Sequence, residues 1–425
     1  MVVDTSSSDL ALYTSTSCPS CNTTYQPSLP ATSSPNVTDT YTAGSISGWV
    51  VREDVQVGDI SLDNVPLMDI NSSSGNVVNK CTNAFPAGGI VGMGISALAN
   101  PLISKLGVFG TMTSMNVPNA FALQVCKNDL ITTNSGVGHL WIGGWDDSFL
   151  ASSSSLERYN LVTSRGYYGL NVSAFSVDDG PAQLVSLPET SCVQGTCVLD
   201  STSSDLQLPS TTYSSLIETL SGSSAITFVS NTSLSNLFWS GSYIVAARES
   251  SSVILNGNVT LSLSISMTQS WNITINSFIS SIPCGTACLA TQNTSTIPST
   301  KQSLSWIYAD PSCNPSSGQP LATDCSLYYR TGLASSTSSI MILGLPMFYG
   351  RLVQFDLDND QINSGYADGS KCNATATVSG MMATFNLNGS GVAYVSIVAG
   401  LGGSAGGLVA FSSVYLLWRR RRRGL

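Results

Sequence analysis

Two stretches of this 425-residue chain repeat one another. Asp4-Thr5-Ser6-Ser7-Ser8-Asp9-Leu10-Ala11-Leu12 returns as Asp200-Ser201-Thr202-Ser203-Ser204-Asp205-Leu206-Gln207-Leu208. Serine matches mean little in so hydroxyl-rich a chain. Two aspartates five residues apart mean more, because only 10% of residues are charged. If turns from two related halves face each other, Asp4 and Asp200 meet. Carboxylates about 3 Å apart cannot both ionise, so one keeps a proton and the pair serves as base and acid on a bound water. That chemistry requires no histidine, metal or cofactor, and none is expected here.

The rest of the composition narrows the alternatives in the same direction. His139 is the single histidine, whereas His-based zinc sites and imidazole-assisted nucleophiles need one or more placed imidazoles. It lies between glycines in Gly138-His139-Leu140-Trp141-Ile142-Gly143-Gly144 and reads as an exposed or edge-strand residue. Net charge is −9, and five of the 16 basic residues are Arg419 to Arg423. The remaining chain sets 11 basic residues against 25 acidic ones, a balance that excludes nucleic acid as a partner.

The elements around the aspartates read as strands. Val2-Val3 precedes the first copy and Val198-Leu199 the second. Each copy is followed further on by an aliphatic pair and glycine, Ile90-Val91-Gly92 and Ile342-Leu343-Gly344. Gly48–Val57, Leu140–Gly144 and Val259–Met267 are short alternating runs bounded by turn formers. Thr211–Leu220, with Leu216, Ile217 and Leu220 at helical spacing, is the best of few helical segments. The fold class is therefore mostly β, built from two related lobes.

Over roughly residues 1–370 the chain resembles the pepsin-like aspartic proteases. The resemblance rests on both Asp motifs, both aliphatic-aliphatic-Gly segments, and Tyr41-Thr42-Ala43-Gly44-Ser45-Ile46-Ser47-Gly48, which is similar to that family's flap hairpin. It implies a bilobal, pseudo-twofold fold with a peptide cleft. Asp4 and Asp200 would be catalytic, and Thr5, Ser6, Ser7, Ser201, Thr202 and Ser203 would support them. Tyr41, Thr42, Ala43 and Gly44 would form the substrate-binding flap. The substrate would be a peptide or protein. The sequence also departs from the family. Ser6 and Thr202 replace the glycines of the Asp-Thr/Ser-Gly motif, Ala11 replaces a tryptophan, and Leu345 replaces an aspartate. A hydroxyl at position 6 or 202 that donated to its aspartate would lower that carboxyl's pKa. A pseudoprotease that binds peptides without turnover is thus the alternative reading.

The ends and the cysteines speak to the compartment. Val392 to Trp418 carries no charge and is long enough to cross a bilayer as a helix, with Arg419 to Arg423 as a cytosolic stop. Met1–Leu12 lacks the basic and apolar regions of a signal peptide, so the chain is expected to begin inside a domain. Ten N-x-S/T sequons permit glycosylation. Eight of the eleven cysteines fall into close pairs, read as disulfide-closed loops: Cys18 with Cys21, Cys192 with Cys197, Cys284 with Cys288, Cys313 with Cys325. The expected division is 1–157 for the first lobe, 158–371 for the second, 372–391 for a stalk, 392–418 for the transmembrane helix and 419–425 for the tail. Localisation as a single-pass type I membrane protein of the secretory pathway, cell surface or a vacuole-like lumen follows from these features.

Overall fold

The computed structural model describes residues 2–14, 16–17, 35–41, 44–57, 60–75, 89–125, 138–163, 166–180, 182–186, 197–203, 205–229, 231, 233–247, 253–266, 268–283, 306–317, 325–330, 332–338, 340–372, 393–395, 399–400 and 410–411. These residues are mostly in strands, as expected.

The same three-strand unit holds both copies of the repeat. In the first, Val2–Asp4 runs parallel to Gly89–Gly92, with Asp4 opposite Gly92, and Leu10–Tyr13 returns antiparallel on the other side of that strand. In the second, Cys197–Leu199 runs parallel to Met341–Leu343, and Leu206–Pro209 returns antiparallel. The registers coincide: Leu10 faces Val91 and Ala11 faces Ile90, while Leu206 faces Leu343 and Gln207 faces Ile342. Both returning strands also pair in parallel with a further strand, Ala11 with Met68 and Leu206 with Leu333. Leu10–Tyr13 and Gly89–Gly92 are buried along their whole length. Continuous apolar runs rather than alternation are what a strand covered on both faces requires.

Long hairpin strands extend the first unit. Gly44–Val57 and Ile60–Gly75 pair with each other, and Asn36–Tyr41 adds to the outer edge. Asn36–Tyr41 alternates: Val37 is buried, Asp39 and Tyr41 are half-buried, and the residues between them are exposed. Val37, Asp39 and Tyr41 therefore share the inward face. A six-stranded sheet shares its apolar residues with the core of the two units. In it Ala120–Val125 pairs with Arg351–Asp356, so that segments far apart in sequence are joined. Phe121 stacks on Phe355 with ring centroids 4.5 Å apart. One hydrophobic cluster runs through Val3, Val91 and Met93 to Leu199, Leu206 and Leu343. Both three-strand units thus rest on a shared core.

The helix expected over Thr211–Leu220 spans Ser210–Ser221 and buries Thr212, Leu216 and Leu220. His139 departs from its expected exposure. It is half-buried in a strand paired on one side with Ala120–Val125, and its ring packs at 4.7 Å against Phe149 and 5.4 Å against Trp141. The aromatic side chains around it account for this, and burial pushes its pKa down to about 4. Cys313 and Cys325 form a disulfide with Cα atoms 5.8 Å apart. Cys197 is also disulfide-bonded. Cys18, Cys21, Cys192, Cys284 and Cys288 lie outside the described residues. So does most of the expected span 392–418, where Ala393–Val395, Ala399–Gly400 and Ala410–Phe411 are strands. Among the described residues no helix is long and apolar enough to cross a membrane.

Candidate active site

Asp4 ends its strand, Asp200 directly follows Cys197–Leu199, and each leads into a tight turn. The turn is closed from below by the glycine of the neighbouring strand. A Cβ on Gly92 would lie 2.5 Å from the Asp9 nitrogen and the Ser8 carbonyl carbon. One on Gly344 would lie 2.3 Å from the Asp205 carbonyl oxygen. No side chain fits there, which is why both aliphatic pairs end in glycine.

The two turns grip one another. Thr5 Oγ1 donates to the Leu199 carbonyl at 2.9 Å, and Ser201 Oγ donates to the Val3 carbonyl at 2.7 Å. In return, the Ser201 amide donates to Thr5 Oγ1 at 3.0 Å and the Thr5 amide to Ser201 Oγ at 3.2 Å. These four reciprocal bonds are buried, and they fix the carboxyls of Asp4 and Asp200 as neighbours. Asp4 is 1% exposed and Asp200 9%.

Donors surround the pair. Asp4 Oδ1 accepts from the Ser6 amide at 2.8 Å and from Ser6 Oγ at 2.7 Å, and Asp4 Oδ2 accepts from Ser7 Oγ at 2.5 Å. Asp200 Oδ1 accepts from the Thr202 amide at 2.8 Å, Thr202 Oγ1 at 2.6 Å and, at 3.3 Å, the Ser203 amide. Thr202 Oγ1 also lies 3.5 Å from Asp4 Oδ1, within reach of both carboxyls. The side chains that replace glycine are therefore accommodated by turning their hydroxyls onto the aspartates. Burial raises both carboxyl pKa values against these donors. Asp200 is pushed up to about 6, first by burial and then by the charge of Asp4. Asp4 is also raised by burial, while Ser7, Ser6 and Thr202 oppose the shift.

The outer hairpin reaches over this corner. Tyr41 pairs with Gly44 at its end and lies beside Ser7, and burial followed by the charges of Asp4 and Asp39 raises its pKa well above the ordinary phenol value. Thr42 and Ala43 lie outside the described residues. Thus the structure brings together Asp4, Asp200, Thr5, Ser6, Ser7, Ser201, Thr202 and Tyr41. Ser203 contributes its amide, but its hydroxyl points elsewhere.

Sequence reasoning missed a second polar group beside the site. The Asn100 amide donates to Asp9 Oδ2 and Asn100 Nδ2 to Asp39 Oδ1, both at 2.7 Å. Asp9 is pushed up to about 7, mainly by burial. The repeat itself contained the signal, since Asp9 is the second aspartate of the first copy.

A protein-family model described as eukaryotic aspartyl protease matches residues 1–367.

Proposed function

We propose that this chain, which belongs to the eukaryotic aspartyl protease family, is an endopeptidase whose catalytic residues are Asp4 and Asp200. The observation that carries the reading is the reciprocal Thr5–Ser201 grip, which presents two buried, pKa-raised carboxyls side by side. A water between them gives a proton to the ionised carboxylate as its oxygen attacks the peptide carbonyl carbon. The protonated carboxyl donates to the carbonyl oxygen, and a tetrahedral diol forms. Return of the first proton to the amide nitrogen breaks the C–N bond. The diol hydroxyl then restores the second proton, leaving an acid and an amine. Tyr41 to Gly44 form the flap that covers an extended peptide, which the strand edges receive by backbone hydrogen bonds. Residues 1–157 and 158–371 are the two lobes of this enzyme.

Incubating the protein with a peptide library between pH 3 and pH 7 tests the reading. Mass spectrometry should show new peptide termini that are absent with Asp4→Asn. Intact peptides throughout that range would overturn it. Such a result would favour the second reading, a peptide-binding module without turnover, which draws support from Thr202 Oγ1 standing within reach of both carboxyls.

The uncharged stretch 392–418 followed by Arg419 to Arg423 supports anchoring in a membrane, with the catalytic body on the lumenal or outer side. Retention in the membrane pellet after carbonate washing is the expected result, and release into the supernatant would reject the anchor.

A further inference from the structure

The two turns share a backbone plan, yet the hydroxyl three residues past each aspartate is used differently. Ser7 Oγ donates to the outer oxygen of Asp4. Ser203, at the same position of the second copy, donates to the Asp205 carbonyl at 3.1 Å and accepts from Gln207 Nε2 at 3.2 Å. A hydroxyl has one proton, so Ser203 has none left for Asp200. Gln207 occupies the register position that Ala11 holds in the first unit. Ala11 has no polar atom in its side chain, and Ser7 there is turned to Asp4. Among the described residues Asp200 Oδ2 accepts no hydrogen bond, while both oxygens of Asp4 do.

We propose that Gln207 is a positioning residue of the dyad. By holding the Ser203 hydroxyl off Asp200, it leaves Asp200 Oδ2 as the seat of the shared proton and Asp4 as the ionised partner. The inference rests on the peptidase reading and separates the two aspartates by role, since Asp4 takes the proton from water and Asp200 donates to the carbonyl oxygen. Donors stabilise the charged form of a carboxyl, so the better-supplied member is the anion. The titratable groups facing the pair agree with this assignment. Asp200 faces Asp4 across the grip, Tyr41 faces Asp4 from the hairpin, and Asp205 Oδ1 is engaged by the Gly332 amide at 3.0 Å. Among the described residues no lysine, arginine or histidine contributes to the shift of either aspartate.

The test is Gln207→Met, which keeps the bulk of a half-buried side chain and removes its donor. Two readouts are taken on the full chain: carbon-13 NMR titration of labelled aspartate carboxyls, and the pH profile of kcat/KM. Without the Gln207 donor that holds its oxygen in place, Ser203 turns, giving up its bond to the Asp205 carbonyl to donate to Asp200 Oδ2 as Ser7 does to Asp4. The Asp200 midpoint then falls by about one pH unit. The alkaline limb of the profile moves acidward with it, so activity above that limb drops about tenfold. Adding Ser203→Ala to Gln207→Met returns the limb to its original place, which a merely structural role for Gln207 would not do. If Gln207→Met does not fold, Gln207→Ala carries the same expectation. An unchanged midpoint in a folded variant, or a shift that survives Ser203→Ala, overturns the proposal. The NMR readout separates the two failures. A midpoint that shifts in a protein without turnover retains the role of Gln207 and rejects the peptidase, whereas turnover with no shift does the reverse.

Discussion

Asp9 and Asp205 stand five residues past their respective aspartates, at matching positions of matching turns. Asp205 Oδ1 accepts from the Gly332 amide, and the residue is half-buried. Asp9 is 5% exposed. One of its oxygens accepts from Asn100, the other has no partner among the described residues, and a second carboxyl, Asp39, is close enough to raise its pKa. The difference comes from the strand Asn36–Tyr41, which brings Asp39 and Tyr41 against the first turn. A duplicated motif therefore fixes the path of the backbone in both places. The charges that a turn feels are set by whatever packs over it.

Substitutions at paired positions can break that comparison where it asserts sameness and sharpen it where it asserts difference. The largest effect belongs to the aspartates. Asp4→Asn and Asp200→Asn should each reduce kcat by roughly 10³-fold or more, because neither carboxyl can do both proton transfers. A variant that kept a tenth of the activity would show that the dyad is not shared. Next come the glycines. Gly92→Ala and Gly344→Ala drive a Cβ into backbone at 2.5 and 2.3 Å, and each should lower the unfolding free energy by about 3 kcal/mol in urea titration. The grip follows. Thr5→Val and Ser201→Ala each remove a donor from a buried carbonyl and should cost about 2 kcal/mol apiece. If they act on one grip, the double variant will cost less than the sum of the two.

The smallest effect tests the asymmetry. A carboxyl whose pKa is raised in the folded protein binds its proton more tightly there than in the unfolded chain. The stability this provides is complete below the ordinary value of 3.8 and is lost as pH rises to about 7. Asp9→Asn should therefore change little at pH 3.5 and stabilise the protein at pH 7.5. Thermal melts at the two pH values read the difference. Equal melting shifts at both would place Asp9 outside any charged cluster.

Much of this site is legible in the sequence because its scaffold is local. Five-residue spacing, the preceding apolar pair and the Ile-Val-Gly and Ile-Leu-Gly segments each encode a strand, a turn or a close approach of backbones. Period and residue size carry those. The Thr5–Leu199 and Ser201–Val3 bonds join residues more than 190 positions apart, and only the folded chain sets them side by side. Asn100 gave no sign of bridging Asp9 and Asp39, since an asparagine at a helix or turn boundary is ordinary. The exposure expected of His139 failed for the same kind of reason: Phe149 reaches it from outside its own strand. Gln207 reads in the sequence as one more strand residue, and only the fold sets its amide on Ser203.

The pH dependence of kcat/KM for a single peptide substrate tests the account most directly. Two buried carboxyls sharing one proton predict a bell confined to acid, falling through about pH 6 as Asp200 loses its proton. A rate that stayed level or rose between pH 6 and pH 8 would contradict the dyad as the source of catalysis.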